Sequence, residues 1–231
     1  MATKRITKKQ AAETSRMAAI VEKLKTVYPH VVCALEWGGQ HGGEPDFLRR
    51  ESWKLLVMGR LSAQCTDARV NIVCRDLFEK FPTVQAMAEG EIAEIEAIVR
   101  PCGLYHTKAQ NIKDACRILT EDYGGIVPDD MDALLALPGV GRKIANLLLG
   151  DVYRKGGVVT DTHCIRICGR LGLSKGKDPE KVERQLRAIL PPEESNDFCH
   201  RIVLFGREIC TARKPKCDEC PLAIHCKHMN G

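Results

Sequence analysis

The sequence lacks any apolar run that approaches the ~20 residues needed to cross a bilayer, which excludes a membrane-spanning protein. Its first ten residues, MATKRITKKQ, hold four cations and lack the apolar core of a secretory signal. We therefore expect a cytoplasmic, nucleoid-associated protein of bacterial or archaeal type, in a reducing compartment where disulfides rarely persist. Residues 1–15 are predicted to form a basic flexible tail; the alternative is an arm that touches phosphate.

A large charge excess is also missing. Lys and Arg number 35 and Asp and Glu number 30, a net charge of +5. This balance is compatible with a polyanionic partner but does not require one. With 231 residues, 44% of them apolar, the chain is long enough to bury a core as one large domain or two small ones.

Strand-like alternation and internal repeats are absent, apart from one β-like pair at Val158-Val159. Apolar residues instead recur at three- and four-residue steps almost throughout, which predicts an all-α fold. A glycine-containing stretch from Leu35 to Phe47 is predicted to be a loop, and Trp53 to Cys65 to be a buried helix.

The stretch LALPGVGRKIANLLLG, residues 135–150, places two cations directly after a glycine turn between apolar helices. Gly139 and Gly141 can adopt backbone angles closed to other residues. The N–H groups opening the next helix then point outward and bind an anion. The alternative is an ordinary corner between two helices, but Arg142 and Lys143 favour a helix-hairpin-helix that grips a phosphate backbone without selecting bases.

Four of the twelve cysteines lie close together at the end of the chain, in CTARKPKCDECPLAIHC. Their spacing is Cys210-x6-Cys217-x2-Cys220-x5-Cys226. Zinc usually takes two separated pairs of ligands, whereas a cubane iron–sulfur cluster suits a compact wrap of four thiolates. Zinc and two disulfides remain the alternatives. The other eight cysteines are predicted to be buried as small hydrophobic residues.

Together these motifs resemble endonuclease III, a family of helix-hairpin-helix DNA glycosylases and abasic-site lyases with an iron–sulfur cluster. The likeness runs from about residue 17 to residue 226. It is carried by the cysteine spacing and by four segments: LSAQCTD (61–67), GLYHTKA (103–109), LPGVGRKIA (137–145) and TDTHCIR (160–166).

The resemblance implies a two-domain helical protein. A six-helix domain with the hairpin is expected at 44–155, and a helical [4Fe–4S] domain at 16–43 and 156–231, with its cluster loop at 210–226. Double-stranded DNA with a damaged base or abasic site would lie in the cleft between them, with the target base flipped out. A monomer is expected.

Lys143 matches the nucleophile of the family. Its neutral amine would attack the sugar C1′, expel the base and form an imine, after which β-elimination breaks the strand on the 3′ side. Such a lysine must lose its proton near neutral pH. Desolvation against Ile144 and Leu147, the helix N-terminus and Arg142 would each disfavour the ammonium form. The alternative is a charged lysine that binds phosphate.

Asp161 matches the carboxylate that stabilises positive charge on the sugar. The alternative is a helix N-cap, and both roles are compatible because a capping carboxylate is fixed in place. His163 and Arg166 follow at the same helix start. Arg166 is predicted to contact phosphate, and His163 either contacts DNA or bonds a backbone carbonyl.

Three further positions are implied to contact DNA. Gln64 matches the residue that fills the space left by the flipped base, and Leu104 matches a second wedge. Lys214, with Arg213 and Lys216, lies in the loop between the first two cluster cysteines and is predicted to meet phosphates.

Two rival functions are considered. An adenine-mismatch glycosylase of the same superfamily would place a catalytic glutamate about one helical turn before Gln64, where this chain has Gly59 and Arg60. A non-catalytic iron–sulfur DNA-binding protein would not need both Lys143 and Asp161. Arg60 is unexpected in an apolar helix, where it could reach the pocket or the DNA.

Overall fold

A computed structural model describes residues 8–230, with side chains from residue 12 onward. This part of the chain is helical and contains no β-strand, so the all-α prediction is confirmed. Three short 3-10 helices, Arg100–Cys102, Cys217–Glu219 and Ala223–His225, accompany the α-helices. The α-helices are α1 Lys8–Val27, α2 Pro45–Leu61, α3 Asp67–Lys80, α4 Val84–Glu89, α5 Ile92–Val99, α6 Tyr105–Tyr123, α7 Met131–Ala136, α8 Arg142–Asp151, α9 Thr162–Leu171, α10 Pro179–Arg187, α11 Pro192–Glu208 and α12 Lys227–Asn230.

The described residues divide into two compact units. The hairpin unit spans Cys33–Gly157, and the cluster unit combines the described residues up to Val32 with those from Val158 onward. The domain boundaries expected from the sequence stay a prediction. Part of the expected tail overlaps α1, which begins at Lys8; residues 1–7 lie outside the described residues.

In the hairpin unit, α2 is the central buried helix. Leu55, Val57 and Leu61 are fully buried. The helix begins eight residues before the predicted Trp53, because Pro45 at its first turn has a backbone angle suited to a helix start. It ends at Leu61, before a turn in which Gln64 has a positive φ. Gln64 therefore lies in a turn and not within an apolar helix.

Side-chain caps begin three other helices of the hairpin unit. Thr66 accepts a bond from the N–H of Arg69 at the start of α3, and Thr83 does the same for α4. Asp130 accepts the N–H groups of Asp132 and Ala133 at the start of α7. Each cap satisfies N–H groups that a helix start leaves unpaired, and so fixes where the element begins.

In the cluster unit, α11 packs against α1 and α9. Met17, Ile20 and Leu24 of α1, which recur at three- and four-residue steps, are fully buried. The guanidinium of Arg16 donates to the carbonyls of Leu171 at 2.8 Å and His225 at 2.9 Å. Arg16 therefore ties α1 to the end of α9 and to the segment that carries the last cluster cysteine.

Candidate active site and cluster loop

The turn between α7 and α8 depends on one glycine. Gly139 has a φ of +75°, and a Cβ there would lie 2.6 Å from Arg60 Nε and 2.9 Å from Asn111 Cβ. Gly141 has a φ of −99°, which any residue adopts, and a Cβ on it would meet no described atom within 4 Å. The expectation that both glycines need special backbone angles is therefore corrected: only Gly139 does.

Replacing Gly139 by alanine is expected to destabilise the protein by about 2 kcal/mol, because a left-handed angle and a close approach both oppose a Cβ. Thermal unfolding measures this. Gly141→Ala is the matched control: it should change stability by less than about 1 kcal/mol. It should still weaken duplex binding, because its methyl group occupies the space that a phosphate would approach. Equal destabilisation by the two variants would contradict this account.

The side chain of Arg60, in α2, contacts the same turn at Gly139. Its Nε and Nη2 donate to Asn111 Oδ1 at 3.1 and 2.9 Å, and its side chain packs against Gly139. Burial lowers the pKa of the guanidinium. The cation that was unexpected in an apolar helix thus connects α2, α6 and the hairpin turn within the hairpin unit.

Lys143 is the second residue of α8, and its side chain is exposed. Ile144 and Leu147, which were expected to desolvate it, face the core and are 9% and 7% exposed. This desolvation is therefore absent in the DNA-free chain. Gly141 makes no side-chain hydrogen bond to the start of α8, so no capping side chain lies between that helix end and an anion beside Lys143.

Asp161 is the N-cap of α9. Its Oδ1 accepts the backbone N–H of Cys164 at 2.7 Å, and the residue is half-exposed. The expected N-cap is thus present, and the bond fixes the carboxylate at the positive end of the helix dipole. The capping bond is made by one oxygen, and the partial exposure of the residue leaves its carboxylate accessible from solvent.

Two predicted DNA-contacting residues have strained backbones. Gln64 has a φ of 56° and Leu104 a φ of 50°. A left-handed backbone is uncommon for residues other than glycine and concentrates at functional sites. Both residues are exposed, Leu104 by 60%, although leucine gains nothing from contact with water.

Lys108 was not identified from the sequence as a site residue. It is fully buried, and its Nζ donates to the carbonyls of Leu61, Ala63 and Cys102 at 2.9, 2.7 and 2.8 Å. Burial lowers its pKa. Burial also raises the pKa of the neighbouring Cys102 thiol to about 11, and Cys65 adds to that rise. A signal existed: Lys108 lies four residues before Ile112, on the apolar stripe of α6.

The four C-terminal cysteines line one small apolar cavity together with Ile167, Leu171 and Phe205. All twelve cysteines lie within the described residues and are free thiols. Burial raises the pKa of Cys220, and the sulfur atoms of the other three cysteines raise it further. Four cysteine sulfurs that line one apolar cavity fit an iron–sulfur cluster, whose iron ions would stabilise them as thiolates. Of the other eight, seven are buried as predicted and Cys65 is only half-buried.

Two arginines of α9 fasten the cluster loop. Arg170 donates to Cys210 Sγ at 3.3 Å and to the carbonyls of Thr211 and Ala212 at 2.7 and 2.9 Å. Arg166 Nη2 donates to the carbonyls of Gly206 and Cys210 and lies 3.2 Å from His163 Nδ1. The phosphate contact predicted for Arg166 stays a prediction, since here its guanidinium holds main chain.

The remaining predicted contacts lie on the surface of the cluster unit. Lys214 is exposed, as are Arg213 and Lys216, while Thr211 Oγ1 donates to the Lys214 carbonyl and shapes the loop. An open groove beside them is lined by Arg166, Arg170, Lys177 and Lys227 among others. Sequence spacing identified the loop cations; Arg170 was missed, although it lies three residues after Ile167 on the buried side of α9.

Comparison with known proteins decides the family. Residues 57–192 match the model of the HhH-GPD superfamily base excision DNA repair protein, and residues 210–226 match the iron–sulfur binding domain of endonuclease III. An endonuclease III from Synechocystis is 40% identical over 220 residues, covering 95% of both chains. The chain belongs to the endonuclease III family.

Solved structures of the family agree with the fold. A non-covalent endonuclease III–DNA complex has a TM-score of 0.82 at 36% identity, covering 94% of this chain and 96% of that one. A trapped endonuclease III–DNA covalent intermediate, an estranged-adenine complex, has a TM-score of 0.81 at 36% identity, covering 94% and 97%. This endonuclease III homologue is a base-excision-repair DNA glycosylase and abasic-site lyase with a [4Fe–4S] cluster.

Within the described residues of this homologue, each helix is too short or too polar to cross a membrane.

Proposed function

We propose that this endonuclease III homologue excises oxidised pyrimidines from double-stranded DNA and then cleaves the abasic strand, with Lys143 as the nucleophile. The observation that carries the proposal is the exposed lysine in the first turn of α8, directly after the glycine turn. An amine at this position approaches a sugar whose phosphate rests on the N–H groups of the same helix start.

The reaction begins when the neutral Nζ of Lys143 attacks C1′ and the electron pair of the glycosidic bond leaves with the base. Nζ then loses a proton, the sugar ring opens and an imine joins the lysine to C1′. The imine acidifies the hydrogens on C2′. Loss of one of them breaks the C3′–O bond and cuts the strand on its 3′ side. Bound DNA supplies the desolvation that the free chain lacks around Lys143.

Asp161 stabilises the positive charge that grows on the sugar as the base departs. A carboxylate is suited to this because it is held by the Cys164 N–H, so little reorganisation accompanies the reaction. The residue is half-exposed and therefore accessible to a bound nucleotide. Cys210, Cys217, Cys220 and Cys226 would bind the [4Fe–4S] cluster, which would hold the loop of Arg213, Lys214 and Lys216 in a defined shape.

Contacts to DNA follow from the same elements. Gly139, Gly141 and Arg142 are proposed to bind phosphate at the hairpin, and Lys214, His163 and Arg166 to act from the cluster unit. Gln64 and Leu104 are proposed to fill the space left by the extruded base. We expect the active species to be a monomer.

An adenine-mismatch glycosylase would need a glutamate about one helical turn before Gln64, where this chain has Gly59 and Arg60. A Cβ at Gly59 would lie 3.2 Å from Ile144, so even alanine there would press on α8. Arg60, the next residue, is engaged with Asn111. A non-catalytic DNA-binding protein could use Lys143 to bind phosphate, but it would not need Asp161 as well.

A panel of lesion-bearing duplexes with borohydride trapping tests the proposal. We expect covalent adducts and strand cleavage with thymine glycol and with a preformed abasic site. An undamaged duplex and an adenine–8-oxoguanine mispair should give neither. Efficient release of adenine without any trapped adduct would instead support the mismatch glycosylase. Absence of adducts on every substrate would refute the assignment of Lys143.

A further inference from the structure

A buried ammonium connects the two strained loops of the hairpin unit. Lys108 is fully buried in α6, and each of its three Nζ hydrogens has one carbonyl acceptor: those of Leu61, Ala63 and Cys102. All three acceptors precede Lys108 in the sequence, those of Leu61 and Ala63 by 47 and 45 residues and that of Cys102 by six. The Lys108 side chain therefore links α6 to two earlier segments that the hydrogen bonds of the helix itself do not reach.

The three carbonyls lie one to three residues before the two residues proposed to enter the duplex. Ala63 is joined directly to Gln64, and Cys102 is separated from Leu104 only by Gly103. The backbone N–H of Lys108 also donates to the Leu104 carbonyl at 3.0 Å. Lys108 thus contacts main chain next to both Gln64 and Leu104.

Both of those residues hold left-handed backbones, with φ of 56° and 50°. A strained conformation persists only when surrounding contacts fix it. Here the Lys108 ammonium binds carbonyl groups just before Gln64 and just before Leu104. One side chain therefore fixes the backbone direction at both residues. An apolar side chain of the same length would fill the space and leave three carbonyls unsatisfied.

We propose that Lys108 is a positioning residue that holds Gln64 and Leu104 in the paired conformation needed to open the duplex and replace the extruded base. This inference rests on the proposed function. Lys108 itself touches neither substrate nor the reacting atoms. Its contribution belongs to base extrusion, while the chemistry at Lys143 proceeds without it once the sugar is accessible.

The test compares Lys108→Met on two substrates that carry the same abasic site, a duplex and a single strand. The single strand requires no extrusion, so borohydride trapping there measures the chemistry alone. We expect the trapping rate on the duplex, divided by that on the single strand, to fall on the order of tenfold or more from the wild-type ratio. This ratio does not depend on how much of the sample is folded.

Lys113→Met is the matched control, since Lys113 lies in the same helix and donates to one carbonyl, that of Gly90. It should leave the ratio unchanged. Gln64→Ala combined with Leu104→Ala should lower the ratio as Lys108→Met does, and adding Lys108→Met to that pair should lower it little further. The fluorescence of 2-aminopurine placed opposite the abasic site should rise less when Lys108→Met binds than when wild type binds. The reason is that Gln64 and Leu104 would unstack the base less effectively in the variant.

Three results would overturn the inference. The first is an unchanged ratio in Lys108→Met. The second is a fully additive loss in the triple variant. The third is failure of both Lys108→Met and Lys108→Gln to fold, which would assign the lysine to the fold alone. A wild-type protein that traps neither substrate would instead refute the proposed function, so the two failures are distinguishable.

Discussion

Replacing Lys143 by glutamine is expected to abolish the covalent adduct and to lower strand cleavage at an abasic site by on the order of 10³-fold or more, since no other group replaces a lost nucleophile. Glutamine keeps the length and polarity of the side chain but has no basic amine. Lys143 is exposed at the start of α8, so folding should be unaffected. Borohydride trapping and single-turnover cleavage measure the loss, with thermal unfolding as the check on the fold.

Arg142→Gln is the matched control in the same helical turn. We expect the adduct to persist, while the slope of log affinity against log salt becomes shallower by about one, because one phosphate contact is lost. Lys143→Gln should change affinity much less than it changes cleavage. If the adduct survives in Lys143→Gln and disappears in Arg142→Gln, the nucleophile has been assigned to the wrong residue.

The sequence predicted most of what depends on short-range pattern. Apolar spacing identified the all-α fold and the buried face of α1, and the position of Pro138 and Gly139 located the hairpin turn. These features succeed because a helix must bury one stripe and a left-handed turn needs glycine. The start of α2 was missed because five of the eight residues before Trp53 are polar, so the apolar spacing of a helix is weak there.

Long-range polar contacts were not predictable in the same way. Lys108, Arg60 and Arg170 all lie among apolar residues of helices, and each binds partners from segments far away in the sequence. A single-helix pattern shows that such a cation is out of place, as it did for Arg60, but does not show which carbonyl or amide it meets. The acceptors became identifiable only when the helices were assembled.

The surroundings of Lys143 were also predicted incorrectly from the sequence. Ile144 and Leu147 were expected to surround Lys143, yet both are buried whereas Lys143 is exposed. Leu147, four positions after Lys143, lies on the adjacent part of the helix surface, but it is buried with the apolar stripe of α8, which packs against α2 and α7. In our account, the desolvation of the amine therefore comes with the DNA.

Asp161→Asn separates the two roles of this residue, because asparagine caps a helix about as well as aspartate but carries no charge. We expect the stability to stay within about 1 kcal/mol of wild type. Base excision should fall on the order of 10²-fold to 10³-fold, the usual cost of removing one preorganised electrostatic group. Single-turnover release of a damaged base, with thermal unfolding alongside, measures both quantities.

Asp161→Ala completes the comparison, since alanine removes the cap and the charge together. It should lose about 1 kcal/mol of stability because the Cys164 N–H loses its acceptor. It should also show the same loss of excision as Asp161→Asn. If Asp161→Asn were fully active and only Asp161→Ala were impaired, the role of Asp161 would be limited to capping α9. If both variants lost excision to the same extent while Asp161→Asn kept its stability, the negative charge of Asp161 would be what acts on the sugar. The helix cap would have been preserved in Asp161→Asn, so its loss could not explain the result.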